Sequence, residues 1–227
     1  MYQYKFLFFN AACLLTLLLT GCFGPVIVVG EFAPMQRDAG GRPYIHAPSG
    51  IYNEIRYKDF SFAWNEKDNF RIYPSENTVT HAIWRSLLAD PAKMQSAFGE
   101  AVKSRHSQSR TDQEALEAYA RQCYTPPQFS KFKLLKLETE KCVFNGREAV
   151  RVYNETYEKE RDLYMANTAY CFACPDEPEK YLYFVVWSER SRKADFRRPE
   201  IIRQGELFFK NFRLHRPSAA PGTDDRQ

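Results

Sequence analysis

The chain has 227 residues, of which 44% are apolar and 15% aromatic, and it carries a formal net charge of +4 at neutral pH. That apolar content excludes an intrinsically disordered chain and is enough to bury a sizeable core, while the length suits one domain with loose ends. The positive charge is mild, so neither nucleic acid nor another polyanion is required as a partner.

At the amino terminus Lys5 is the only charged residue before Glu31. Phe6 to Leu19 is an apolar run interrupted only by Asn10 and Thr16. It is short for a membrane span and has the length of a signal-peptide core. The run ends in Leu19-Thr20-Gly21-Cys22, which resembles the lipobox of bacterial lipoproteins. The resemblance implies that residues 1–21 are an export signal, that cleavage follows Gly21, and that Cys22 becomes the acylated first residue. Each buried methylene of the added chains contributes about 0.8 kcal/mol, so several chains make a stable membrane anchor. Phe23, not Asp, follows the cysteine. This is similar to the enterobacterial pattern for outer-membrane sorting and implies a protein facing the periplasm.

Beyond Cys13 and Cys22 four cysteines remain, Cys123, Cys142, Cys171 and Cys174. An even number in an oxidising compartment predicts two disulfides, with three connectivities open. The close pair Cys171 and Cys174 also allows a redox dithiol, and four thiolates allow a zinc site. Just after the pair, Pro175 and Pro178 flank Asp176 and Glu177, which describes a loop where a redox motif would open a helix. Structural disulfides without a metal are therefore expected.

Residues 22–50 are punctuated by Gly and Pro and read as a tether. A single folded domain is expected over 51–215 and a disordered tail over 216–227. Tyr57 to Tyr73 predicts a hairpin: Phe60, Phe62 and Trp64 alternate with smaller or polar residues, and 65–69 is a polar turn. Val79, Ile83 and Leu87 then recur at helical spacing. Asp90-Pro91 predicts the start of a second helix bearing Met94, Phe98 and Val102. Thr111-Asp112-Gln113-Glu114 predicts a capping box for a third, with Ala115, Tyr119 and Cys123 on one face. Pro126 and Pro127 stop it. Asn145-Gly146 between Phe132–Phe144 and Glu148–Tyr157 is a strong two-residue hairpin signal. It puts Val150, Val152 and Asn154 opposite Arg151, Tyr153 and Glu155. A strand over Leu163–Tyr170 follows. Tyr181–Ser188, apolar on both faces, predicts a central strand. Pro199 opens a last helix carrying Ile202, Leu207 and Phe209 towards Phe212 and Leu214.

This order predicts an α+β fold, an antiparallel sheet with helices packed on its faces. Phe60-Ser61-Phe62, Asn145-Gly146-Arg147, Tyr183-Phe184-Val185-Val186 and the closing helix into Phe212 make it similar to the PsbP-like fold of DcrB-like bacterial lipoproteins. The cysteine loop and the helical stretch over Val79–Cys123 depart from that pattern.

No catalytic residue, cofactor or metal is predicted, because no nucleophile elbow, phosphate loop, dinucleotide fingerprint or paired metal-binding His occurs. His46, His81, His106 and His215 are scattered. His81 with Asp90 or Glu76 is the one conceivable catalytic pair, and a helix-surface role suits it better. Glu138/Glu140 and Glu155/Glu158 read as solvated strand ends. Lys131/Lys133/Lys136 and Arg190/Arg192/Lys193/Arg197/Arg198 are basic clusters interleaved with acids, and read as solvated faces before a membrane or acidic-partner patch. Tyr153, Tyr157, Tyr164, Tyr170, Tyr181 and Tyr183 include candidate interface anchors, although a tyrosine-rich core and rim explains most of them. The expected function is that of a lipid-anchored, non-enzymatic binding protein with a protein partner and no nucleic acid. In outline the chain resembles immunity lipoproteins, which neutralise toxins delivered by type VI or related secretion systems. Envelope maintenance with an unknown ligand, or a thiol oxidoreductase or other periplasmic enzyme, is the alternative.

Overall fold

A computed structural model describes residues 14–15, 27–29, 36–37, 39–41, 43–46, 53–56, 60–64, 70–77, 81–86, 88–105, 112–175 and 177–215. Cys22, His106, Thr111 and the tail over 216–227 lie outside the described residues, as does most of the expected signal. In chain order the first strands are β1 (Leu14–Leu15), β2 (Ile27–Val29), β3 (Gln36–Arg37), β4 (Pro43–His46), β5 (Asn53–Arg56), β6 (Phe60–Trp64), β7 (Phe70–Asn77), β8 (His81–Ser86) and β9 (Ser96–Arg105). Helix α1 (Gln113–Cys123) precedes β10 (Phe132–Phe144), β11 (Arg147–Glu158), β12 (Leu163–Ala173) and β13 (Tyr181–Ser191). Helix α2 (Pro199–Asn211) runs directly into β14 (Phe212–Leu214).

Two antiparallel sheets result, which makes the fold α+β. The larger has the order β10-β11-β12-β13-β9-β8-β7-β4-β3, and the smaller β1-β2-β5-β6-β14. Helix α1 packs on β10, β11 and β12, and α2 packs on β13, β9 and β6. Strand alternation separates the two faces of the large sheet. Val150, Val152, Ala169, Cys171, Leu182 and Val186 meet Leu116 and Ala120 of α1. Phe144, Phe172, Tyr183, Val185 and Trp187 point to the other face, where Ile201 and Phe208 of α2 and Phe60, Phe62 and Phe212 of the small sheet complete a second core. Aromatic rings dominate that core: Phe60 stacks on Phe212 at 5.3 Å between centroids, and Phe144 on Phe212 at 5.7 Å.

Several local expectations hold. Asn145 and Gly146 have φ of 51° and 76°, the left-handed pair that a tight hairpin turn needs, and Phe144 faces Arg147 across it. Pro199 occupies the first turn of α2. Strand β13 lies inside the sheet, between β12 and β9.

Others are corrected. The expected hairpin over 57–73 does not form: β6 pairs with β5 and β14, whereas β7 pairs with β4 and β8 in the other sheet. The helices expected over 79–102 are strands β8 and β9, joined by a single 3-10 turn at Pro91–Lys93. Asp90 still caps that turn, its Oδ1 accepting the Ala92 N–H at 3.0 Å. Helix α1 is capped by Asp112, one residue later than the Thr111 box, with Oδ1 accepting the Ala115 N–H at 2.8 Å. It buries Leu116 and Ala120 and leaves Cys123 exposed. Strand β12 continues past Tyr170 to Ala173. Helix α2 buries Ile201, Gln204, Gly205 and Phe208, one position off the expected stripe. Within the expected tether, β2 and β4 pair with β5 and β7 of the body.

Glycine sets the closeness of the α2 layer. A Cβ on Gly99 in β9 would stand 2.5 Å from the Phe208 ring, and one on Gly205 in α2 would stand 2.6 Å from Trp187 Cδ1. Both positions are therefore closed to any larger residue without displacement of the helix.

Candidate surface and cleft on the uncovered half of the sheet

Helix α2 packs over β13 and β9, so among the described residues the α2-side face of β11 and β12 is only partly covered. The register fixes what stands there. Arg151 faces Tyr170, Tyr153 faces Thr168, and Tyr157 faces Tyr164 across β11 and β12. All four tyrosines are half-buried. Tyr157 and Tyr164 lie 4.7 Å apart between ring centroids, and Phe196 lies 5.4 Å from Tyr164. Cations frame the rings: the Arg197 guanidinium lies 5.2 Å and Lys136 Nζ 5.3 Å from the Tyr153 ring centre. The Tyr153 hydroxyl donates to Glu155 Oε1. Burial, then that hydrogen bond, pushes the Tyr153 phenol well above its ordinary range. Tyr183, by contrast, is in the core, and Tyr181 lies beneath Lys103 at 4.8 Å.

Where α2 lifts from the sheet, a cleft of about 330 Å³ opens. Thr168, Tyr170 and Trp187 line it from the strands, and Ile202, Gly205 and Phe209 from the helix. Arg151, Arg197 and Glu206 add charge. Arg197 has φ of 58°, an unusual left-handed value for a long side chain. In that conformation its backbone N–H donates to Glu189 Oε1 at 3.0 Å, and its Nη1 lies 3.8 Å from Glu189 Oε2. Glu189 is buried, and burial raises its carboxyl pKa against the opposing pull of Arg197. Arg151 Nη1 lies 3.4 Å from Glu140 Oε2.

A second buried acid lies on the opposite face. Glu158, expected to be solvated, has no exposed surface and sits among Lys131 Nζ at 2.8 Å, Arg190 Nη2 at 3.1 Å and Arg161 Nε at 3.5 Å. The Lys131 hydrogen bond, helped by the charges of all three cations, holds its carboxyl below the usual range against the cost of burial. Part of each expected basic cluster is thereby engaged within the fold: Lys131 and Arg190 on Glu158, Arg197 on Glu189, and Arg198 beside Asp195 and Glu200. Nearby, Ser188 Oγ donates to Asn167 Oδ1 at 2.6 Å, Asn167 to Asn154 Oδ1 at 2.8 Å, and Asn154 to the Tyr124 carbonyl at 2.9 Å. This chain satisfies polar groups beneath the end of α1.

No disulfide joins the four described cysteines in this structure. Cys171 lies in the α1-side core and Cys174 in the α2-side core, so the sheet separates the two. That removes the geometric basis for a juxtaposed dithiol at this pair. Burial raises the Cys142 thiol pKa, which disfavours the reactive thiolate. Among the described residues no group of three or more His, Cys, Asp or Glu is placed to hold a metal ion. His46 falls in β4 and His215 follows β14. His81 opens β8, whose five onward steps carry the chain ~16 Å away before Asp90 is reached. The Asp90 carboxylate is meanwhile committed to the Ala92 N–H.

No family model matches the sequence, and no curated protein matches it. Among solved structures the chain is similar to LpqN, a protein involved in cell envelope biogenesis of Mycobacterium tuberculosis. The identity is 6% and the TM-score 0.31, over 82% of this chain and 91% of that one. A likeness at this level carries no functional argument. Among the described residues no helix is long and apolar enough to cross a membrane.

Proposed function

We propose that the protein is a lipid-anchored, non-catalytic binding protein of the bacterial cell envelope, and that it recognises a protein partner through the uncovered half of its large sheet. The observation that supports this reading is the gathering of Tyr153, Tyr157, Tyr164 and Phe196 on one face with Lys136 and Arg197 beside them. Tyr supplies broad contact area and a polar tip at little cost in conformational entropy, Arg supplies a planar fork of donors, and both are enriched among energetically dominant interface residues. Cys22 supplies the tether and residues 1–21 the export signal. Within this reading the partner is a toxin delivered by a type VI or related system, and the protein is its immunity factor.

The test is competition in mixed culture. On the immunity reading, deletion of the gene together with that of the toxin it neutralises should make cells sensitive to siblings that keep the toxin. The wild-type gene should restore survival, and Tyr153→Ala/Tyr164→Ala should not, although it remains folded and membrane-bound. Unchanged survival after deletion would remove the immunity reading. Heightened sensitivity to detergent in that same strain would then favour envelope maintenance.

A further inference from the structure

The cleft beside the tyrosine face has a chemistry of its own. It combines two guanidiniums with a rim of Tyr170, Ile202 and Phe209. Each guanidinium already has a carboxylate neighbour, but at 3.4 Å for Arg151 and 3.8 Å for Arg197. Charge-assisted hydrogen bonds of full strength are about 2.7–2.9 Å long. The Arg151 hydrogen bond to Glu140 is long and the Arg197 pair is wider still, whereas a guanidinium offers five donors in a fork that matches a carboxylate. The backbone is also arranged to present Arg197: its left-handed φ is secured by the N–H bond to buried Glu189. Strain of this kind, held by a buried partner, concentrates at binding sites. The volume of about 330 Å³ falls at the small end of the range for ligand sites.

We infer that the cleft between α2 and the β11–β12 face is a socket for a carboxylate carried next to an apolar group, as an acidic side chain or chain terminus of the partner protein presents it. Arg151 and Arg197 receive the charge, and Tyr170 and Phe209 the apolar part. The inference rests on the tyrosine face being a docking surface, with which the socket is continuous through Arg197 and Tyr153. Glu206 on the helix side is a like charge to the ligand and limits its affinity.

The probe is 3-phenylpropionate, with 3-phenylpropanamide as the neutral isostere, titrated into the full-length protein in detergent micelles and followed by amide NMR shifts. Saturable shifts should cluster at Arg151, Thr168, Tyr170, Arg197 and Phe209. The amide should bind about tenfold more weakly, because it cannot engage the two cations as an anion does. Arg151→Gln and Arg197→Gln should each weaken the acid by about the same factor, and Glu206→Gln should strengthen it. Circular dichroism checks each fold, and Arg151, exposed on its strand, carries the test if Arg197→Gln does not fold. Equal binding of acid and amide, shifts scattered over the surface, or weaker binding in Glu206→Gln would overturn the proposal. Tyr157→Ala/Tyr164→Ala should leave probe binding intact. Failure of the docking surface thus leaves the socket measurable, and failure of the socket leaves the competition result unchanged.

Discussion

Replacement of Gly205 by alanine tests the seating of α2 on the sheet. In an exposed helix this change stabilises by about 0.8–1.0 kcal/mol, because Gly is the poorer helix former. Here the added methyl would stand 2.6 Å from Trp187 Cδ1, 2.8 Å from Nε1 and 2.9 Å from Cγ. Trp187 is 3% exposed and cannot swing clear. Phe208 lies against it at 5.8 Å, and Gly99, its partner across β9, has no spare volume because the Phe208 ring fills the space above it. Overpacking of a tight core costs about 1–3 kcal/mol, and this site lies at the upper end. The net destabilisation should be about 2 kcal/mol, a fall in Tm of roughly 4–8 °C for a chain of this size. Thermal and urea unfolding followed by circular dichroism give the value; the urea midpoint should fall with the slope unchanged. Trp187→Leu in the same chain should recover part of the loss attributable to the clash, so the two changes are non-additive. A Gly205→Ala protein more stable than the parent would show that α2 does not approach β13 as described.

Gly146→Ala should cost about 1 kcal/mol for a different reason: nothing lies within 4 Å of its Cβ position, but its φ of 76° disfavours an L-residue. The two buried glutamates should respond to pH with opposite sign. Glu158 has a lowered pKa, so its contribution is full above the ordinary carboxylate range and is lost as pH falls through the lowered value. Glu189 has a raised pKa, so its contribution is full below that range and is lost as pH rises through the raised value. Tm profiles of Glu158→Gln and Glu189→Gln should therefore flatten on the acid and the neutral side respectively, and a shared side would contradict these environments. Mass spectrometry of membrane-extracted protein should find cleavage after Gly21 and acyl mass on Cys22; an intact Met1 would refute the anchor. Non-reducing peptide mapping should find no bond between Cys171 and Cys174, since they face opposite cores.

The parts of the fold legible from sequence are those with local chemistry. Asn145-Gly146 specifies its hairpin because both φ values must be positive, and that turn sets the register placing Arg151, Tyr153 and Glu155 on one face. Pro199 marks α2 for an equally local reason. That 79–102 forms strands despite its helical spacing has a geometric cause. Residues four apart share a face in a helix and in a strand alike, so Met94, Phe98 and Val102 do not discriminate between them. Gly99 within that run was the stronger sign, being costly inside a helix and needed in β9 beneath Phe208. Phe60 and Phe62 were readable as a strand, but pairing to β14, some 150 residues later, carries no local signature. Helix α2 misleads because its core face includes Gln204 and Gly205, chosen for close approach and not for hydrophobicity. The apolar residues Ile202 and Phe209 that the pattern favoured instead wall the cleft. Tyr170 and Arg197, legible as an aromatic anchor and a basic-cluster residue, line the same cleft, and the displaced apolar stripe marks its helix wall.

Docking through the tyrosine face can be read by site-specific photo-crosslinking in living cells. A photoreactive residue would replace Tyr153 or Tyr164 in the full-length lipoprotein, and Ala118, exposed on α1 across the sheet, would serve as the control. Positions 153 and 164 should each give one discrete higher-mass adduct, absent from 118. No adduct at either tyrosine position, or the same adduct from all three, would contradict it.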